Sequence, residues 1–291
     1  MAVRWPDEMT DRLSHQLVIW VAVLALAGAA GCGSDNNPDL LEKPSSSSAI
    51  EGKFDVGDHK LFMECSGTGS PTVVYLHGSV QTKGESGREN AAHIPALLDS
   101  SHRVCVYDRA NVGLSDPVRG PLTGRDSVKD LHALLAAARV RGPYVLLGGS
   151  LGGAIADIYA ASYPKEVAGM VLLDSTLPAY LDMYKRLFPA GAGPQPGDWK
   201  GEAEKLDKLT TFRQAGKIQR RRPKIPVTYI GISAPAPAKV LRAIRKAQRA
   251  FVHRFSPGRL IVLDVPHQME PVIPKPIARE VERVIASGER R

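Results

Sequence analysis

The sequence predicts an α/β protein with a mostly parallel central sheet flanked by helices, and three observations lead to this prediction. Short apolar runs, bounded by glycine, proline or aspartate, alternate with longer segments of helical periodicity. Beyond a polar stretch near the N-terminus, about 240 residues remain, which suits one domain with a single core. The apolar run 144–147 is followed by Gly148-Gly149-Ser150-Leu151-Gly152 and then by an alanine-rich helical segment, so a strand, a tight turn and a helix succeed one another.

The N-terminal segment is predicted to be a targeting signal. Residues 17–30 are apolar but short for a membrane span, and small residues precede Cys32. A cysteine directly after Ala-Gly resembles the bacterial lipoprotein signal, in which that cysteine is lipidated. We therefore expect a lipoprotein-type signal peptide over 1–31, lipidation of Cys32 and an extracytoplasmic, lipid-anchored protein. The alternatives are an ordinary signal peptide, which gives a secreted protein, and an uncleaved anchor.

The next segment, 32–49, is polar and low in complexity, which predicts a flexible linker before a domain over 50–291. The chain has 38 Lys and Arg against 30 Asp and Glu, a net charge of +8. Much of this excess lies late in the chain, either as a solvated basic face or as a surface attracted to anionic head groups. No nucleic-acid motif accompanies it, so no nucleic-acid partner is predicted.

The elements of the domain follow from the apolar pattern. The predicted strands are 60–65, 71–76, 103–107, 144–147, 167–173, 225–230 and 259–265. The predicted helices are 126–139, the segment from Leu151 to Pro164, 238–255 and 277–285. Between about 177 and 224 the pattern degrades into glycine, proline and short helical pieces, which indicates a cap inserted over the sheet.

The turn around Ser150 carries the chemistry. A G-x-S-x-G between a strand and a helix holds the serine in a strained turn at a helix N-terminus. There the helix dipole and the Leu151 N–H favour a negative oxygen. A second loop, His77-Gly78-Ser79, follows another predicted strand, and the Ser79 N–H is expected to be the other oxyanion donor. A structural Gly/Ser turn is the alternative interpretation.

Five segments follow one another in a recognisable order: His77-Gly78, 107–116, the turn at Ser150, 171–174 and His267. In this order they resemble the α/β-hydrolase fold over about 50–285, and in particular exported bacterial esterase-like serine hydrolases. Many members of that family have histidine where this chain has Gly149.

The resemblance implies a Ser-His-Asp triad. It places the base at His267, after the last strand. The usual position of the acid, after the strand 225–230, has no carboxylate, so Asp174 at the alternative family position is expected to hold the imidazole, with Glu270 as the next candidate. Asp108 and Arg109 are expected to form an ion pair that shapes their loop.

The family fold also makes the strands of Cys65 and Cys105 neighbours, so the resemblance allows a disulfide between them; two buried free thiols are the alternative. The expected function is hydrolysis of a small-molecule ester or other acyl substrate through an acyl-enzyme, which requires no metal or organic cofactor. The alternatives are a peptidase, thioesterase or lactonase, or a non-catalytic envelope binding protein on the same fold.

Overall fold

A computed structural model describes residues 49–188, 193–218, 223–233 and 236–289. The predicted signal peptide, Cys32 and nearly all of the predicted linker lie outside the described residues.

The described chain builds one eight-stranded sheet. Its strands are β1 Ile50–Asp55, β2 Lys60–Ser66, β3 Thr72–Leu76, β4 Val104–Tyr107, β5 Tyr144–Gly149, β6 Val167–Leu173, β7 Val227–Ile232 and β8 Gly258–Leu263. Their order across the sheet is β1-β2-β4-β3-β5-β6-β7-β8. Strand β2 runs antiparallel to β1 and β4, and all other neighbours are parallel. Strands β3 and β5 are buried along their whole length, as their uninterrupted apolar composition predicts.

Helices cover both faces of this sheet. They are α1 Ile94–Leu98, α2 Gly124–Ala137, α3 Leu151–Ser162, α4 Ala179–Leu187, α5 Lys208–Lys217, α6 Ala238–Val252 and α7 Pro274–Glu289. One apolar core lies between the sheet and helices α2, α3 and α6, and a second lies between the sheet and helices α1 and α7. The predicted α/β class and mostly parallel sheet are thereby confirmed. Among the described helices, none has both the length and the apolar character that crossing a membrane requires.

The segment inserted between β6 and β7 contains α4, a short 3₁₀ turn at Asp198–Gly201 and α5. Asp207 caps the N-terminus of helix α5, since its side chain accepts a hydrogen bond from the Thr210 N–H at 2.8 Å. The segment joins the rest of the domain through a parallel bridge between Leu122 and Leu206. It therefore contacts the loop after β4 as well as the sheet end at β6.

Cys65 and Cys105 are directly opposite on β2 and β4, with their Cα atoms 4.1 Å apart, and form a disulfide. Both residues are buried in the core. The pairing that the resemblance allowed is the one present in the structure.

Loss of this bridge is expected to lower the free energy of unfolding by about 4 kcal/mol, because it closes a loop with a sequence separation of 40 residues. Denaturant unfolding of the wild type and of a Cys65→Ala/Cys105→Ala variant measures the difference. Wild-type protein reduced before unfolding is the matched control, since it keeps both side chains. An unfolding midpoint that reduction leaves unchanged would contradict the prediction.

Candidate active site

Ser150 lies on the turn between β5 and α3 with φ +47°, a conformation that is strained for a residue with a side chain. Its N–H donates to the Leu173 carbonyl at 2.9 Å, which ties the turn to β6. A Cβ on Gly152 would collide with the carbonyl oxygen of Leu76, so only glycine allows this approach of helix to strand. The sequence around Ser150 therefore forms the sharp strand-to-helix turn that it predicts.

His267 and Asp174 meet beside this turn, although 93 positions separate them in the sequence. Asp174 follows β6, and its N–H donates to the Ile230 carbonyl at 2.7 Å. The His267 Nδ1 donates to Asp174 Oδ2 at 2.7 Å. This hydrogen bond raises the pKa of His267 above its ordinary value, against the opposing effect of desolvation. A donating Nδ1 leaves the Nε2 of a neutral ring available as a base.

Ser150 and His267 line the same cavity, which has a volume of about 420 Å³. Its other lining residues are Tyr75, Gly78, Ser79, Gln81, Glu89, Asn90, Ala92, Gly149, Gln268, Glu270 and Pro271. A larger and more open groove, of about 690 Å³, lies between α1 and α7 and includes neither residue. We place the candidate site in the smaller cavity, because it contains both the strained serine and the histidine paired with a carboxylate.

The two predicted oxyanion donors lie next to Ser150. Leu151 is the first residue of α3, and Ser79 lines the cavity in the loop after β3. A Cβ on Gly78 would lie 3.4 Å from the Cβ of Ser150, so this loop packs directly against the turn. Within the described chain, neither the Leu151 N–H nor the Ser79 N–H donates to a protein acceptor. Both donors are therefore free for a substrate oxygen.

Two side chains of α6 contact the end of β7, the strand after which the sequence has no carboxylate. Arg245 on α6 donates to the Ile232 carbonyl at 2.6 Å and to Gln248 Oε1 at 2.6 Å. A Cβ on Gly231 would lie 2.8 Å from Gln248 Nε2. Arg245 and Gln248 therefore pack against the end of β7.

Glu270 has a different partner from the histidine. Its Oε1 accepts a hydrogen bond from the Tyr75 hydroxyl at 2.9 Å, which joins the loop after β8 to β3. Burial raises the pKa of this carboxyl. A Cβ on Gly149 would lie 2.5 Å from the same Oε1. Glu270 thus fills the space beside Ser150 that the missing side chain of residue 149 leaves.

Asp108 and Arg109 do not pair with each other, which corrects the expected ion pair. Asp108 accepts from Arg88 Nη1 at 2.7 Å and from backbone N–H groups of two neighbouring loops. Arg109 pairs with Glu204 of the inserted segment, Nη2 to Oε1 at 2.9 Å. Glu204 was not singled out from the sequence, because nothing in its local pattern marks a partner 95 positions away.

The described residues contain no group of three or more His, Cys, Asp or Glu side chains arranged to hold a metal ion.

Activity at this site is expected to rise with pH through a midpoint above about 6.5, the ordinary pKa of histidine. The reason is that His267 accepts a proton only when it is neutral, and its hydrogen bond to Asp174 holds the pKa above that value. We expect Asp174→Asn to move the midpoint to lower pH. Measuring kcat/KM from pH 5 to 9 with a non-ionising ester tests this, and a flat profile would contradict it.

Comparison with known proteins places the chain in a family. A family model described as the α/β hydrolase fold matches residues 71–222, more than half of the chain. The chain is 32% identical over 128 residues to an uncharacterized vacuolar membrane protein of Saccharomyces cerevisiae, covering 42% of this chain and 19% of that protein. It is 32% identical over 144 residues to a 2-hydroxy-6-oxononadienedioate/2-hydroxy-6-oxononatrienedioate hydrolase of Paraburkholderia xenovorans, covering 47% of each. The chain thus spans less than half the length of these curated relatives.

Among solved structures, the fold is similar to a bromoperoxidase from Bacillus anthracis, with a TM-score of 0.56 and 18% sequence identity, over 81% of this chain and 99% of that one. At this identity the likeness bears on the fold alone, and it confirms the predicted fold class. On the extent of the family match, the protein belongs to the α/β-hydrolase fold family.

Proposed function

We propose that the protein is a serine hydrolase that cleaves carboxylic esters through an acyl-enzyme. One observation carries the proposal: Ser150, on its strained turn, shares a cavity with His267, whose Nδ1 is hydrogen-bonded to Asp174 at 2.7 Å. A serine hydroxyl is a poor nucleophile at neutral pH and needs a base that is itself oriented by an acid. These three residues supply those roles.

The proposed reaction has two halves. Ser150 Oγ attacks the ester carbonyl while His267 Nε2 takes its proton, and the carbonyl oxygen becomes an oxyanion bound by the N–H groups of Leu151 and Ser79. The C–O bond to the alcohol then breaks, and His267 returns the proton to the leaving oxygen. Water repeats the sequence on the acyl-enzyme, releases the carboxylic acid and restores Ser150. Asp174 fixes the imidazole tautomer and stabilises the imidazolium in both halves.

The charges of the cavity lining bear on which acyl groups the site accepts. Glu89 and Glu270 line it, and its described lining residues include neither lysine nor arginine. A carboxylate on the acyl chain would therefore meet like charge without a lysine or arginine to pair with. We infer a preference for neutral acyl groups over dicarboxylic half-esters. This differs from the dioate substrate in the name of the Paraburkholderia relative.

A fluorophosphonate probe tests the nucleophile directly. We expect covalent labelling of the wild type at Ser150, identified by peptide mass spectrometry, and no labelling of Ser150→Ala. Heat-unfolded wild type is the control for non-specific reaction. An absence of labelling in folded protein would favour the non-catalytic binding protein, the alternative that the missing carboxylate after β7 supports.

A substrate panel separates the hydrolytic alternatives. We expect p-nitrophenyl esters of neutral acyl chains to be turned over with a higher kcat/KM than the matching anilides, thioesters and lactones. If an anilide or a thioester were hydrolysed faster than the matching ester, the serine mechanism would stand but the protein would be assigned as a peptidase or a thioesterase.

We also propose, from the sequence alone, that the mature protein is lipid-anchored outside the cytoplasm through Cys32, with a flexible linker before the domain. Residues 1–48 are not described in the structure. Incorporation of a fatty-acid analogue in bacterial expression that Cys32→Ser abolishes would support the anchor. Equal incorporation in the wild type and in Cys32→Ser would contradict lipidation of Cys32.

A further inference from the structure

The segment inserted between β6 and β7 places the carboxylate of Glu204 against the loop that follows β3. Glu204 is 1% exposed and faces Arg109, which is 3% exposed. Arg109 Nη2 donates to both carboxylate oxygens at 2.9 Å, and Nε donates to Oε2 at 3.3 Å. A pair this deeply buried is costly to desolvate, so its retention calls for contacts beyond the pair itself.

Those contacts go to the backbone of the loop His77–Val80. Arg109 donates from Nη1 to the His77 carbonyl at 2.7 Å and from Nη2 to the Gly78 carbonyl at 2.6 Å. Glu204 Oε1 accepts from the Val80 N–H. The buried pair therefore holds polar backbone groups on both sides of Ser79.

His77 completes the arrangement. Burial, with the charge of Arg109, lowers the pKa of His77 well below its ordinary value, so the ring is neutral. Its Nδ1 donates to the Gly78 carbonyl at 2.8 Å, and its Nε2 accepts from the Arg109 N–H at 3.3 Å. Two donors, one from His77 and one from Arg109, thus converge on the oxygen of Gly78.

The oxygen of Gly78 and the N–H of Ser79 belong to the same peptide unit. A peptide unit is planar, and in its trans form the C=O and N–H point in opposite directions. Fixing the oxygen toward Arg109 therefore fixes the N–H of Ser79 away from Arg109. Because a Cβ on Gly78 would lie 3.4 Å from the Cβ of Ser150, the peptide unit fixed in this way lies beside the nucleophile.

We propose that Glu204 and Arg109 are positioning residues for the oxyanion hole. Arg109, held in place by Glu204, binds the Gly78 carbonyl and so orients the Ser79 N–H toward the developing negative charge. The inference rests on the proposed function, because it assigns a role within that site. It gives one residue of the inserted segment, Glu204, an indirect role in the site. The pair acts through Ser79 and touches no substrate itself.

Glu204→Gln tests the proposal with a side chain of the same size. The amide keeps an acceptor for the Val80 N–H but loses the charge that holds Arg109. We expect kcat to fall roughly 10- to 100-fold while KM changes less than about threefold, because the lost interaction acts on the transition state. Glu202→Gln is the matched control: Glu202 lies in the same segment and pairs with Lys208 Nζ at 2.6 Å. It should keep wild-type kcat.

A transition-state analogue distinguishes positioning from a merely structural role. An alkyl trifluoromethyl ketone forms a tetrahedral adduct with serine, and its affinity should fall in Glu204→Gln by the same factor as kcat/KM. Arg109→Lys is the second variant, for use if Glu204→Gln fails to fold. It keeps the buried charge but cannot hold both carbonyls, so the same parallel loss is expected.

The outcomes separate the two proposals. If the wild type hydrolyses no ester and Ser150 takes no fluorophosphonate label, the proposed function fails and this inference falls with it. If the wild type is active and a folded variant stays within about threefold of its kcat, the inference alone is overturned. A fall in kcat with unchanged affinity for the analogue would overturn it as well.

Discussion

Ser150→Ala is expected to lower ester turnover by at least about 10⁴-fold, to the rate that the protein supports without its nucleophilic serine. The oxyanion donors and the cavity remain in this variant, so KM should change far less than kcat. The substitution removes one hydroxyl and leaves the backbone of the turn in place. Steady-state kinetics with p-nitrophenyl butanoate, extended to long incubation times, measures the residual rate.

Ser79→Ala is the control for this variant. It removes the hydroxyl of the other serine that lines the cavity but keeps the backbone N–H to which we assign a role. We expect turnover within about tenfold of the wild type, since the Ser79 hydroxyl takes part in no step of the proposed reaction. Near-normal activity of Ser150→Ala in a preparation free of wild-type enzyme would end the assignment of the nucleophile.

Asp174→Asn is expected to lower kcat by roughly 10³- to 10⁴-fold, because an amide no longer favours the tautomer that leaves Nε2 unprotonated. The expectation depends on the 2.7 Å hydrogen bond between His267 Nδ1 and Asp174 Oδ2. The nucleophile itself should remain in place, so slow fluorophosphonate labelling of Ser150 should persist. Kinetics and labelling rates on the same preparation therefore report on the acid separately from the serine.

Glu270→Gln is the comparison that decides between the two carboxylates. The structure gives Glu270 a hydrogen bond to Tyr75 and none to His267. We expect its replacement to cost no more than about tenfold in kcat. A loss of 10³-fold or more in this variant, with Asp174→Asn near normal, would transfer the role of the acid to Glu270.

The strands, the turn at Ser150 and the cavity loops were accessible from the sequence because their signals are local. A buried parallel strand is an uninterrupted apolar run, and β6, Val167–Leu173, was predicted with its observed bounds. Glycines beside Ser150 mark a turn that larger residues would block. The histidine and Asp174 follow strand ends, and strand ends of a parallel sheet meet at one edge.

Other elements had no comparable signal. Strand β1, Ile50–Asp55, lies at the sheet edge and alternates charged residues with only two large apolar ones. Helix α1, Ile94–Leu98, has five residues and a proline in its first turn, too short for a helical period. Helix α4, Ala179–Leu187, lies in the inserted segment, where the neighbouring glycines and prolines favoured irregular structure.

Contacts between distant residues were inaccessible for a different reason. The pair of Arg109 and Glu204, and that of Tyr75 and Glu270, join residues 95 and 195 positions apart. Composition and periodicity describe neighbours along the chain and contain no information on such pairs. The sequence shows that no carboxylate follows β7, but it contains no signal for the hydrogen bond from Arg245 to the Ile232 carbonyl at that strand end.

The contact between Gly149 and Glu270 has a consequence for engineering. The wall beside the nucleophile is built here by a carboxyl from the loop after β8, and a Cβ on residue 149 would lie 2.5 Å from its Oε1. A side chain introduced at residue 149 must therefore displace the Glu270 carboxyl, which accepts the hydrogen bond from Tyr75. Reshaping this wall thus disturbs a contact that joins the loop after β8 to β3.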